Sequence, residues 1–357
     1  MIEYGCHTFS LFHRLSYSEV QNLIEMLQKQ GKCRKIKADR WNMNRTYYSD
    51  LFSQHGVLIY LYQHLNGGSG ITLRVTPCTV LNNFYAATEL YQPTRKNYRR
   101  MTKILDQFLD ALELEFRADD MSISRCDPCA NLHLENKAAV AEYLRLFRKA
   151  QHIRHYKVVT YEKNNKFVKN PQEANRHSYR QSSKRASFTA YDKVYVLQQL
   201  ERCPKDLAEK GVLRVEAELD REALLKRIDA NQKWSNYRIL KESYRAVKKI
   251  LCKYFNRLFG GHGNFICYQK AKERIESAKM SKKTRERMLY LLRKTSDSNT
   301  LDYAVLKMRR KFELSQGQCN HILKKFEKLN ISPITLRNDS KFDELPSFLT
   351  LFLQNRE

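Results

Sequence analysis

The 357-residue sequence has no apolar run long enough to span a bilayer, and its N-terminus, MIEYGCHTFSLFHRL, lacks the greasy core of a secretory signal. The cytoplasm is therefore the expected compartment. Internal repeats and low-complexity tracts are absent, which excludes a solenoid or a disordered array. There is no GxxxxGK[ST] loop, so the chain supplies no ATP-driven unwinding of its own. Acidic residues are few: 38 Asp and Glu stand against 65 Lys and Arg, a formal charge of +27. An excess of that size calls for a polyanionic partner, nucleic acid before membrane. Nine cysteines form an odd, scattered set with a single CxxC pair, Cys126 and Cys129. Without a second CxxC or a His-Cys cluster there is no zinc motif, and the pair reads as buried strand thiols in a reducing compartment.

A hydrophobic content of 42% argues against disorder, and the length suits one large domain plus a smaller one. YSEVQNLIEMLQKQG reads as a helix closed by Gly31. HGVLIYLYQHL and ITLRVTPCTVL read as strands joined by the NGGSG turn, the second ending at Pro77. Between Asn97 and Glu115, Ile104, Phe108, Leu112 and Phe116, flanked by Leu105 and Leu109, describe an amphipathic helix. NKAAVAEYLRLFRKA follows as a helix and HYKVVTYEK as a strand, so the expected order is α, β, β, α, β, α, β. Residues 165–187 are polar and basic and read as a loop, with Arg176, Arg180, Lys184 and Arg185 available to phosphates. Past Asp220 the period turns helical, placing a boundary near 230, with a mixed strand and helix domain over 1–230 and a helical, basic C-terminal domain over 231–357. The short helices there, carrying Lys307, Arg309, Arg310, Lys324 and Lys325, have the make-up of a helix-turn-helix-like DNA binder.

Three stretches alternate like half-buried strands: SISRCDPCANLHL at 122–134, SFTAYDKVYVL at 187–197 and GVLRVEAEL at 211–219. Successive strand residues face opposite sides of a sheet, so Asp127, Tyr191, Lys193, Arg214 and Glu216 would fall on polar faces, open to a ligand if the strands share one sheet. A tyrosine hydroxyl can attack a phosphodiester when a base or cation lowers the cost of its anion. Lys193, two residues on and on the same strand face, would supply a cation. Asp127 and Glu216 are oxygen ligands suited to Mg²⁺ or Mn²⁺, with Glu218 and His133 as further candidates.

In their order, TPCTVL at 76–81, SISRCD at 122–127, SSKRASFTAYDKVYVLQ at 182–198 and GVLRVEAEL at 211–219 resemble the rolling-circle replication initiators of filamentous phages, the gene II product family, and less closely plasmid initiators of the replication-initiation-factor type. The resemblance covers roughly the first 230 residues. It implies that Tyr191, in A-Y-x-K, is the nicking nucleophile with Lys193 beside it, that Asp127 belongs to S-R-x-D, and that Arg214 and Glu216 form R-x-E. The His-hydrophobic-His motif of another nicking superfamily is absent, since HIRH at 152–155 has the wrong spacing. Tyr195 would share the face of Tyr191 only if that segment were helical.

The expected fold is α+β: an antiparallel sheet with helices packed on one face, followed by a helical C-terminal domain. The expected activity is that of an endonuclease and strand transferase, dependent on Mg²⁺ or Mn²⁺, that nicks a double-stranded origin at an exposed single-stranded site and becomes linked to the 5′ end through phosphotyrosine. A host helicase and polymerase would do the rest of replication. A conjugative mobilisation relaxase using the same tyrosine, or a non-catalytic DNA-binding replication regulator, shares these features.

Overall fold

The computed structural model describes every residue except 39–43, 65–67, 83–87, 162–169, 232, 262, 298 and 355–357. The fold is α+β, built on a large sheet. Two compact units make up the chain. Glu3–Ala130 with Glu216–Val247 forms the first; Met1–Ile2, Asn131–Val215 and Lys248–Glu357 form the second.

In chain order the elements begin with β1 (Ile2–Arg14), α1 (Tyr17–Lys29), β2 (Cys33–Ala38), β3 (Arg45–Ser49), β4 (Val57–Gln63), β5 (Gly70–Val75), α2 (Pro77–Asn82), α3 (Arg95–Ala111), β6 (Ser122–Leu134), α4 (Lys137–Lys149) and β7 (Lys157–Val158). They continue with α5 (Pro171–Arg176), β8 (Ser178–Ser182), β9 (Ala186–Asp192), α6 (Lys193–Gln199), β10 (Gly211–Asp220), α7 (Arg221–Arg227) and α8 (Asn236–Phe259). The last are β11 (Phe265–Ile266), α9 (Tyr268–Ser277), α10 (Lys282–Ser296), α11 (Leu301–Lys311), α12 (Gln316–Lys328), β12 (Glu344–Leu345) and α13 (Phe348–Gln354).

In the first unit the strand order is β2-β3-β4-β5-β1-β6-β10. Apolar rows set its register: Leu73 of β5 lies opposite both Leu11 of β1 and Ile59 of β4, and Val75 opposite both Phe9 and Val57. A slip by one residue would turn all of these outward, which is why the pairing is unique. The β4–β5 hairpin forms as expected, although part of its turn lies outside the described residues; Ser69 Oγ closes the base by donating to the His64 carbonyl at 3.0 Å. Helix α1 opens on a capping box between Ser16 and Glu19 and buries Val20, Leu23, Ile24 and Leu27.

Helix α3 is rotated from the expected stripe. Tyr98, Met101, Thr102, Leu105 and Leu109 are buried, continued by Leu112. Ile104 and Phe108 lie at the margin, where Phe108 stacks on Phe52 at 4.5 Å. The two leucines read as flankers hold the core positions, because they extend the row begun by Tyr98 and Met101. Phe116, beyond the helix, stacks on His13 at 3.8 Å.

The second unit has the strand order β6-β10-β9-β8-β7, with residues 131–134 and 211–215 as its shares of β6 and β10. Its core is aromatic. Phe348 of α13 meets Phe147 of α4 at 4.6 Å, Tyr143 at 4.8 Å, and Phe255 of α8 at 4.8 Å. Phe348→Ala is expected to cost about 3–5 kcal/mol, from lost transfer energy and the cavity left among rigid rings. A urea titration that moves by less than a quarter of that would show that the neighbouring rings collapse into the space.

Residues 171–186, read as loop, instead hold α5 and β8. Asn170 caps α5 and Pro171 starts it. The sequence SYRQS of β8 is polar yet forms a strand because it is the antiparallel neighbour of β9, burying Tyr179 and Gln181. The strand expected through 197 ends at Asp192, where α6 begins. Strands β1, β2, β3 and β8 were not expected. Among the described residues no helix is long and apolar enough to cross a membrane. All nine cysteines are free thiols, and Cys126 and Cys129 are buried in β6 as expected.

Candidate active site

The residues singled out from sequence divide between the units: Tyr191, Lys193 and Arg214 belong to the second, Asp127 and Glu216 to the first.

In the second unit β9 alternates as expected, with Phe188 and Ala190 buried while Thr189 and Tyr191 are partly exposed. The β8–β9 register sets Ser178 opposite Tyr191 and Arg180 opposite Thr189. Opposite partners share a face, and diagonal neighbours on it lie roughly 7–8 Å apart. Arg180 is thus the cation diagonal to Tyr191. Arg176 ends α5 beside Glu173 at 3.3 Å, while Lys184 and Arg185 are exposed in the turn between β8 and β9.

Alternation stops one residue after Tyr191. Asp192 takes the N-cap of α6, its Oδ1 accepting the Tyr195 backbone N–H at 3.0 Å. Lys193 therefore starts a helix rather than sharing a strand face with Tyr191, and it is only 3% exposed. Asp192 Oδ2 lies 3.2 Å from His177 Nδ1, whose Nε2 lies 3.2 Å from Glu173. The His177 ring stacks on Tyr195 at 3.8 Å. Sequence reading missed His177 and Glu173; the sole signal was Asp192 three residues ahead of a helical turn, an N-cap spacing. Tyr195 has its phenol pushed up by burial and by the Glu173 and Asp192 carboxylates, which disfavours the phenolate that a nucleophile requires.

The Asp192 hydrogen bond raises the His177 pKa above its ordinary 6.5; burial opposes this, and the Asp192 and Glu173 charges add to it. A raised folded-state value means that this stabilisation is complete below the unfolded pKa and is lost as pH rises through the folded one. On going from about pH 6 to about pH 8.5, wild type is expected to lose more stability than His177→Gln. Parallel urea midpoints for the two proteins would show that the ring is not charged in the fold.

Arg214 is 1% exposed, and its Nε donates to Asn131 Oδ1 at 2.7 Å. The polar strand faces are consequently not open at these positions. Arg214, Lys193, Asp127 and Glu216 are all buried, as charged groups are only when paired or hydrogen-bonded.

The first unit collects carboxylates around one guanidinium. Arg125 donates from Nε to Asp127 Oδ1 at 2.7 Å and from its terminal nitrogen to Oδ2 at 2.7 Å, a bidentate pair. Glu218 lies 3.5 Å from the same terminal nitrogen. The Thr8 hydroxyl donates to Asp127, and His7 Nδ1 lies 2.9 Å from Glu216. Burial alone would lower the Arg125 pKa, but the hydrogen-bonded Asp127 carboxylate, with Glu218 and Glu216 beyond it, raises it. Beside this cluster the Cys6 and Cys126 sulfurs sit 3.4 Å apart; their contact, then burial, raises the Cys6 thiol well above its usual value. His7 and Thr8 were not foreseen because β1 was not.

A divalent ion needs carboxylate lone pairs facing a common point. Both oxygens of Asp127 already accept from Arg125, and one also from Thr8. Among the described residues no group of three or more His, Cys, Asp or Glu side chains is placed to hold a metal. This arrangement does not fit a divalent cation unless Arg125 withdraws.

No family model and no curated protein matches the sequence. Among solved structures, a rolling circle replication initiator protein from Geobacillus stearothermophilus is similar at 10% identity and a TM-score of 0.34, over 72% of this chain and 86% of that one.

Proposed function

We propose that this chain is a rolling-circle DNA replication initiator that nicks one strand through Tyr191 and holds the 5′ end as a phosphotyrosine. The observation that carries this reading is the placement of Tyr191: partly exposed at the end of β9, on the face that also bears Arg180, in a chain of net charge +27.

The Tyr191 Oη attacks phosphorus, a P–Oη bond forms as the P–O3′ bond breaks, and the phenolic proton is given up while the departing 3′ oxygen takes one. One phosphate ester replaces another, so the bond energy is kept for rejoining when a 3′-hydroxyl attacks the phosphotyrosine. Arg180 would stabilise charge on the phosphoryl oxygens, with Arg176, Lys184 and Arg185 on the flanking backbone. Lys193, which opens α6 just after β9, and Arg214 of the neighbouring strand β10 would add buried positive charge to this unit. Neighbouring strands and the likeness to plasmid initiators would place Mg²⁺ or Mn²⁺ at Asp127 and Glu216, an assignment that the Arg125 pair on Asp127 does not fit. Strand separation and synthesis would fall to a host helicase and polymerase.

The test is incubation of the purified chain with supercoiled DNA of its replicon, with Mg²⁺, Mn²⁺ or EDTA. The expected products are open circles carrying protein on the 5′ end, detected after denaturation and nuclease trimming as a tyrosine-containing peptide bearing a nucleotide. Binding without any adduct in all three conditions would sink the reading in favour of a regulator.

A further inference from the structure

Helices α11 and α12 belong to the second unit. They are joined by four residues, Phe312–Ser315, and both pack on α10. The turn is tightly determined. Glu313 adopts φ +50, the Leu314 N–H returns to the Arg309 carbonyl at 3.0 Å, and Arg309 Nε donates to the Leu314 carbonyl at 3.1 Å. Ser315 then opens α12 with a capping box, its N–H donating to Gln318 Oε1 at 2.8 Å. Met308, Leu314, Cys319 and Ile322 are buried, and Phe312 meets Tyr290 of α10 edge-on at 5.4 Å. Two short helices locked by a turn of this length have the connection of a helix-turn-helix, in which the second helix enters the DNA major groove.

The outward side of α12 suits that role. With Cys319, Ile322 and Phe326 buried, a 3.6-residue period turns Gly317, Asn320, His321, Lys324 and Lys328 to the opposite side. All five are exposed, as is Gln316 at the margin. Gln316 Nε2 donates to Asn320 Oδ1 at 3.1 Å, so each amide steadies the other and retains polar atoms for a base edge. Gly317 is not required by packing: a Cβ there would meet nothing nearer than Ser315 Oγ at 3.9 Å. A glycine at this first-turn position leaves room for close approach of a ligand to the backbone. Charge names the ligand. From Leu301 to Lys328 there are seven Lys and Arg and three Asp and Glu, and of those acids Asp302 is engaged by His152 at 2.7 Å.

We infer that α12 is the recognition helix of a sequence-specific double-stranded DNA-binding element, reading bases through Gln316, Asn320 and His321 and anchoring on phosphates through Lys324 and Lys328. Asparagine and glutamine pair with adenine through its N6 and N7 edge, so the site read should contain A·T pairs. The element does not rest on the nicking chemistry.

The experiment selects duplexes from a randomised pool with the full chain carrying Tyr191→Phe, so that nothing is cut, and then measures binding to the selected duplex. The expected result is a recurring motif with A·T positions. Combining Gln316→Ala, Asn320→Ala and His321→Ala should lower affinity for it at least about tenfold while leaving binding to unselected DNA unchanged. Lys324→Ala should weaken binding to both DNAs and reduce the salt slope by about one. Because all these residues are exposed, the variants should melt with wild type, and in the Tyr191 background the triple variant should still cut a single-stranded oligonucleotide as wild type does. Failure of the pool to converge, or a triple variant that keeps both motif and affinity, overturns the inference. Convergence in a protein that never cuts DNA removes the nicking proposal and leaves this one standing.

Discussion

Tyr191→Phe is expected to abolish the covalent protein–DNA adduct and to lower nicking by about 10⁴-fold or more, the scale on which nucleophile removal acts in other covalent catalysts. Its fold should be untouched. The side chain is partly exposed at the end of β9, and removing a hydroxyl at such a position changes stability by roughly 0.5 kcal/mol or less. DNA affinity, set by the many cations, should stay within about twofold of wild type, since removing one neutral hydroxyl leaves the phosphate contacts intact. Tyr195→Phe is the matched control: its ring is held against His177, its phenolate is disfavoured, and the variant should nick normally. Adduct formed by Tyr191→Phe and lost in Tyr195→Phe would exchange the two roles and make His177, stacked on Tyr195, part of the site.

Arg125→Met should be among the most damaging single changes to stability. It strips both Arg125 hydrogen bonds from Asp127, which is 1% exposed and keeps the Thr8 hydroxyl, and a buried charge deprived of its cation costs about 3–5 kcal/mol. Adding Asp127→Asn should recover more than half of that loss, because the neutral amide no longer demands a cation. The two single changes and the double change, followed by urea unfolding, form a cycle whose coupling is the measurable quantity. Additive effects would mean that the remaining donors satisfy Asp127 without Arg125. The same variants address the cation. If Mg²⁺ or Mn²⁺ binds at Asp127 only when Arg125 leaves, Arg125→Met should bind Mn²⁺ more tightly than wild type despite its lower stability, read by titration calorimetry under native conditions.

Much of the architecture is local and so can be read from the chain. The Ser16–Glu19 box and Gly31 bracket α1, the alternation of Val57, Ile59 and Leu61 makes β4, and that of Phe188 and Ala190 makes β9 up to Tyr191. Part of what escaped is non-local, and part is a local cap outweighed by an apolar alternation. SYRQS has little strand propensity, and becomes β8 because β9 offers an unsatisfied edge. The apolar alternation through Val194 and Val196 looked like a continuing strand, whereas the Asp192 carboxylate, by capping Tyr195 N–H, made a helix start cheaper than another strand residue.

The candidate site divides in the same way. Sequence by itself singled out the candidate nucleophile and its charged partners, through the resemblance of short motifs in order, and pointed to a polyanionic partner, through net charge. Tertiary structure alone decided that Asp127 is clamped by Arg125 and Thr8, that Glu216 answers to His7, that Arg180 joins the face of Tyr191, and that Lys193 and Arg214 are buried. Arg125 and Asp127 are two residues apart on one strand, but the Thr8, His7 and Arg180 placements depend on which strands become neighbours and in what register. Pairing between residues more than a hundred positions apart is set by the packing of whole apolar faces, and no local pattern encodes it.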